Sequence, residues 1–81
     1  MADTMMGEVI EYLAKGLVDN PEEVRVTETR DGDRVEVRLD VGEDDWGKVI
    51  GKGGQTAKAL RKILSAAATK LKKKSLLQIV E

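Results

Sequence analysis

The spacing of apolar residues changes along this 81-residue chain, and each change predicts an element. Met6, Val9, Ile10, Leu13 and Leu17 recur every three or four positions, the repeat that gives a helix one apolar side. The spacing predicts a first helix, capped by Asp3 or Thr4 and running to about Val18. Asp19-Asn20-Pro21 ends it, because proline cannot continue a helix. From Val24 the period falls to two, with Val24 and Val26 alternating with Arg25 and Thr27. Arg30-Asp31-Gly32-Asp33 is a hairpin signal with Asp-Gly at its tip. In the strand that follows, Val35, Val37, Leu39 and Val41 form one row, and Arg34, Glu36, Arg38 and Asp40 the other. One apolar row against one charged row places helices on a single face of the sheet.

Gly42 breaks that strand, and Glu43, Asp44 and Asp45 suit the positive start of a helix. A short helix is predicted over Asp44 to Ile50, with Trp46, Val49 and Ile50 apolar. The stretch Val49-Ile50-Gly51-Lys52-Gly53-Gly54 ends it. A longer helix starts near Gln55, with an inner stripe of Ala57, Leu60, Ile63, Leu64, Ala67, Ala68 and Leu71. Lys70 to Ser75 form a loop, and Leu76, Leu77, Ile79 and Val80 a last strand. The order is α-β-β-α-α-β, an α+β chain in two layers. Strands one and two pair through the Asp-Gly turn. A right-handed crossover sets strand three parallel to strand two, which makes strand two central in a three-stranded mixed sheet. Residues 1–81 read as one small domain, too small for a deep substrate cavity.

Composition removes whole classes of chemistry. There is no cysteine and no histidine, hence no disulfide, thiolate or imidazole metal site, and no histidine general base. Ser65 and Ser75 have nothing to activate them. No enzyme activity and no cofactor is expected. Nowhere do more than three apolar residues run together, so neither a signal peptide nor a membrane partner is expected, and the setting is read as cytoplasmic. The net charge of −1 conceals a division. Residues 1–45 carry 14 acids against 5 bases, and residues 46–81 carry 1 acid against 9 bases. The basic half starts at the glycine stretch and points to a polyanionic partner. A solvated lysine-rich helix explains the charge equally well.

Three glycines where a helix could continue need a reason, since each costs about 1 kcal/mol against alanine in a helix interior. Gly42 to Lys48 matches G-x-x-x-x-G-K, but Val49 stands where a phosphate loop needs Ser or Thr, beside three acids. A dinucleotide fingerprint would need its third glycine at Thr56. A tight turn with positive φ explains one glycine or two but not Lys52. A bend without side chains, with Lys52 at its tip and a helix N-terminus behind it, joins these facts as a site for backbone phosphates.

Ile50-Gly51-Lys52-Gly53-Gly54 resembles the I-G-x-x-G signature of KH domains, and the element order resembles the prokaryotic type II KH fold. With residues 45–54 and the short length, the chain is similar to the small stand-alone bacterial KH proteins over nearly its whole extent. The resemblance implies single-stranded RNA as partner, about four nucleotides held with the backbone clamped by the G-x-x-G loop. It implies a clamp of Gly51, Lys52, Gly53 and Gly54, flanked by Lys48 and Gln55, with Ile50, Ala57 and Leu60 as candidates for an apolar groove floor. Lys58 and Arg61 on the third helix, and Lys72 and Lys73 in the variable loop, complete the implied contacts. Each has a plainer reading. Ile50 and Leu60 read first as core, Trp46 as packing, and Lys58, Arg61 and Lys62 as a wet helix face. Gln55 stands where relatives often have a basic residue, and two aromatic residues make no stacking platform. The family further implies post-transcriptional regulation or RNA chaperoning, linked in some bacteria to cell elongation and division. It also implies a homodimer and a complex with a larger KH-containing RNA-binding protein. The rival function is a KH fold used to bind protein.

Overall fold

The computed structural model describes residues 5–80. The expected cap at Asp3 or Thr4 lies outside them. Helix α1 spans Met5–Leu17, strand β1 Arg25–Asp31, strand β2 Arg34–Asp40, helix α2 Trp46–Ile50, helix α3 Gln55–Lys70 and strand β3 Lys74–Val80. The order is the predicted α-β-β-α-α-β. Boundaries move by a few residues. α1 stops one residue short of Val18, and Asp44 belongs to a 3₁₀ turn over Glu43–Asp45 rather than to α2. β3 begins at Lys74, two residues before the expected Leu76.

β2 is the central strand. β1 runs antiparallel to it with Asp31 opposite Arg34, and β3 runs parallel with Lys74 opposite Arg34. The parallel pairing follows from the crossover through α2 and α3. Val35, Val37 and Leu39 have no exposed surface and Val41 has 5%, so the apolar row of β2 is the floor of the core. Met6, Ile10 and Ala14 of α1, Val49 of α2, and Leu60, Leu64 and Ala68 of α3 close over it. Ile63 departs from the predicted stripe and is 41% exposed. At 3.6 residues per turn it stands roughly 100° from the middle of the stripe, around the flank of α3.

β1 holds an arrangement that alternation alone does not reveal. Its inward row passes from Val26 to Glu28 and Arg30, which are half-buried. Glu28 Oε1 accepts the Gly7 N–H at 3.0 Å, and Oε2 accepts Arg30 Nε–H at 2.6 Å. A strand carboxylate thus accepts from a backbone donor near the start of α1.

Candidate nucleic-acid interface

The sheet and helices bring one bend to the end of the molecule where β2 and β3 both finish. There Val41 N–H donates to Val80 O at 3.1 Å. The chain then turns through Glu43–Asp45 into α2, only five residues long. α2 closes when Gly51 N–H donates to Gly47 O at 2.8 Å. Gly51 has φ 78° and ψ 172°, a region open essentially to glycine alone. A Cβ there would fall 2.2 Å from Thr56 Oγ1. Gly53 (φ 65°, ψ 17°) and Gly54 (φ 77°, ψ 12°) are left-handed, with open space where a Cβ would project. Positive φ therefore accounts for all three glycines rather than for one or two. Their bareness still leaves the backbone reachable from outside.

Lys52, Gly53 and Gln55 are exposed at the mouth of α3. The first turn of this 16-residue helix aims N–H groups at the same side. Gln55, Lys58, Ala59 and Lys62 line a shallow depression of about 310 Å³ on the outer side of α3. Arg61 is exposed on the adjoining side of the helix. Ile50 is half-buried beside the bend. Ala57 and Leu60 are 2% and 3% exposed, too deep for a groove floor, and belong to the core.

Lys48 is committed elsewhere. Its Nζ lies 2.9 Å from Asp19 Oδ2 and 3.6 Å from Asp45 Oδ1. The Asp19 hydrogen bond and charge raise its pKa above 10.5. Asp45 is 1% exposed. Burial pushes its carboxyl up, but N–H groups of Asp19 and Asn20 and the Lys48 charge outweigh that and hold the pKa below 3.8. Nothing in the spacing of apolar residues marked Asp45, which reads from sequence as one of three helix-start acids.

Lys72 and Lys73 are not gathered with the bend. They follow the far end of α3, about 24 Å away along the helix axis. Lys73 N–H donates to Ala68 O and Lys72 N–H to Thr69 O, both at 2.9 Å, which wraps the end of α3 around a left-handed Lys72 (φ 59°). Lys73 Nζ donates to Gly32 O at the hairpin tip at 3.2 Å, and Lys74 N–H to Asp33 O at 2.7 Å. The loop is thereby fastened to the β1–β2 turn.

A three-stranded mixed sheet under three helices, with a glycine bend between the second and third, defines a type II KH domain. The family described as KhpA/KhpB, KH domain matches residues 7–79, and the chain belongs to that family. RNA-binding protein KhpA of Halalkalibacterium halodurans is 50% identical over 76 residues, covering 94% of this chain and 100% of that protein. RNA-binding protein KhpA of Caldanaerobacter subterraneus is 44% identical over 75 residues, covering 93% and 100%. Among solved structures, an Aquifex aeolicus Era variant bound to GDP and aluminium fluoride superposes with a TM-score of 0.66 at 21% identity, covering 94% of this chain. This chain spans only 30% of that one, so the likeness concerns the fold alone.

Proposed function

We propose that this chain is a single KH domain that binds single-stranded RNA in the cytoplasm without catalysing a reaction. The observation that carries the reading is the exposed bend Gly51–Gly54, with Lys52 at its tip and the N-terminus of α3 behind it. The KhpA relatives, by name RNA-binding proteins, support it. The bend holds backbone phosphates at its exposed Lys52-Gly53 tip, through the Lys52 charge and the backbone there, since the Gly51 and Gly54 N–H groups are already bonded within the chain. Gln55 and Lys58 continue the contact along α3, with Arg61 on its side. Lys72 and Lys73 reach a strand only where it runs the length of α3. Lys48 is left out, because two carboxylates already balance it.

Replacing Lys52 and Gly53 together with aspartate tests the site. The circular dichroism spectrum is expected to stay native while binding of a labelled oligouridylate falls below detection, since like charges then face the phosphates. Undiminished binding by the folded double variant would overturn the assignment. For the unaltered protein, about three phosphate contacts on a single strand give a slope near −2 in log K against log salt. A flat response would favour protein recognition instead.

The reading includes a second copy as partner. Tyr12, on the outer side of α1, is 79% exposed, Val9 on its flank is 37% exposed, and Leu17 at the end of the helix is 40% exposed. Tyr12, Leu13, Lys15, Gly16 and Leu17 line an open, largely apolar depression of about 590 Å³. Sedimentation of the purified chain is expected to show a dimer, and Tyr12→Asp a monomer with unchanged circular dichroism. A monomer at every concentration would leave the larger KH partner as the occupant.

A further inference from the structure

Among the described residues one charged side chain is buried, and the RNA contact proposed above makes no use of it. Asp45 Oδ1 accepts the Asp19 N–H at 3.2 Å. Asp45 Oδ2 accepts the Asn20 N–H at 3.0 Å and the Asn20 Nδ2–H at 3.2 Å. Lys48, three residues on, spans from Asp45 to Asp19. These partners lie in two places: the turn that follows α1, and α2 itself. Burying a carboxylate is unfavourable unless it is fully bonded. Here the bonding is complete, and it fastens α2 at the end opposite the glycine bend.

The fastening matters because α2 cannot hold itself. Five residues are about one and a half turns, below the length at which a helix is stable alone. Gly51 N–H bonds to Gly47 O inside the same short helix, so the bend goes wherever α2 goes. Val49 roots α2 in the core from one side. Asp45 fixes its start, and with it the direction in which the last turn delivers Gly51.

We propose that Asp45 is a positioning residue for the Gly51–Gly54 bend, with Lys48 as the strut that closes the latch onto the turn after α1. The proposal rests on the RNA-binding reading for its consequence, but not for its geometry. Lys48 serves this latch in place of a phosphate contact.

The test separates the two. Nitrogen–proton NMR spectra of the free protein are recorded for the unaltered chain and for Asp45→Asn, Asn20→Ala and Lys48→Met. The amide signals of Gly51, Gly53 and Gly54 are expected to move in all three variants. Gly32, at the hairpin tip at the other end of the sheet, stays in place. The same variants are expected to bind a labelled oligouridylate about tenfold more weakly, because the bend is no longer preorganised. The salt slope stays as in the unaltered chain. If Lys48 instead meets a phosphate, Lys48→Met reduces the slope by about 0.7 while Asn20→Ala leaves affinity unchanged, and the proposal fails. It also fails if the glycine signals stay put, or if Gly32 and the rest of the spectrum move with them. Should Asp45→Asn not fold, Asn20→Ala and Lys48→Met decide the question. Should the unaltered protein not bind RNA, the glycine signals still decide whether Asp45 sets the bend.

Discussion

Gly51 and Gly53 lie two residues apart in one bend and are glycine for different reasons. Gly51 has a backbone conformation closed to other residues, and a side chain there meets Thr56. Gly53 has only its left-handed φ, with room around it. Gly51→Ala is expected to cost about 3 kcal/mol by urea denaturation, strain and collision together. Gly53→Ala should cost only about 1 kcal/mol, the left-handed penalty by itself. Lys72 presents the reverse case. It occupies the position after α3 where glycine is usual, at φ 59°. Lys72→Gly should raise stability by about 1 kcal/mol in the same measurement. Asp45 gives the protein an acid-sensitive contribution. Its folded pKa is depressed, so the stabilisation is complete above the ordinary value of 3.8 and is lost as pH falls through the lower folded value. Thermal melts between about pH 2 and pH 6 should therefore fall less steeply for Asp45→Asn than for the unaltered chain.

At the scale of elements, the helix pattern was legible to within its edges. Leu60, Leu64 and Ala68 of the predicted stripe of α3 are buried, while Ile63, also placed in that stripe, is 41% exposed. The distinction has an energetic consequence for neighbouring residues. Leu64→Ala is expected to destabilise by about 3 kcal/mol, since a cavity opens under α3. Ile63→Ser should lie within about 0.5 kcal/mol of the unaltered chain. β2 was read without error in its alternation because every second residue meets the core. β1 was not, because its inward row changes from valine to Glu28 and Arg30. Those residues serve the start of α1, a partner 21 positions away in sequence. α2 is the element whose place is least its own. Its length gives almost no intrinsic stability, so the packing of Val49 and the bonds of Asp45 locate it.

For the molecule as a whole, the charge division along the chain becomes a division in space only partly. The basic half supplies the bend and the outer side of α3, but Lys72, Lys73 and Lys74 sit at the far end, where Lys73 and Lys74 are fastened to the hairpin. The proposed interface thus draws its charge near the bend from Lys52, Lys58 and Arg61. A slope near −2 corresponds to affinity dropping roughly 15-fold between 50 mM and 200 mM salt, measurable by fluorescence anisotropy. A steeper slope would mean that the lysines beyond α3 are engaged as well.

The sequence by itself determined the order of elements, the antiparallel hairpin, the single covered face of the sheet and the bare bend with its lysine. Those features depend on periodicity and on residues that permit or forbid local backbone shapes, and both are local properties. Only the tertiary structure decided which charges are available. Lys48 and Lys73 look like Lys52 and Lys58 in sequence, yet distant partners hold them at Asp19 and at Gly32. Asp45 looks like Asp44, yet one is buried and the other exposed. Pairing across 26 and 41 residues depends on how the chain folds back on itself, which no local pattern encodes.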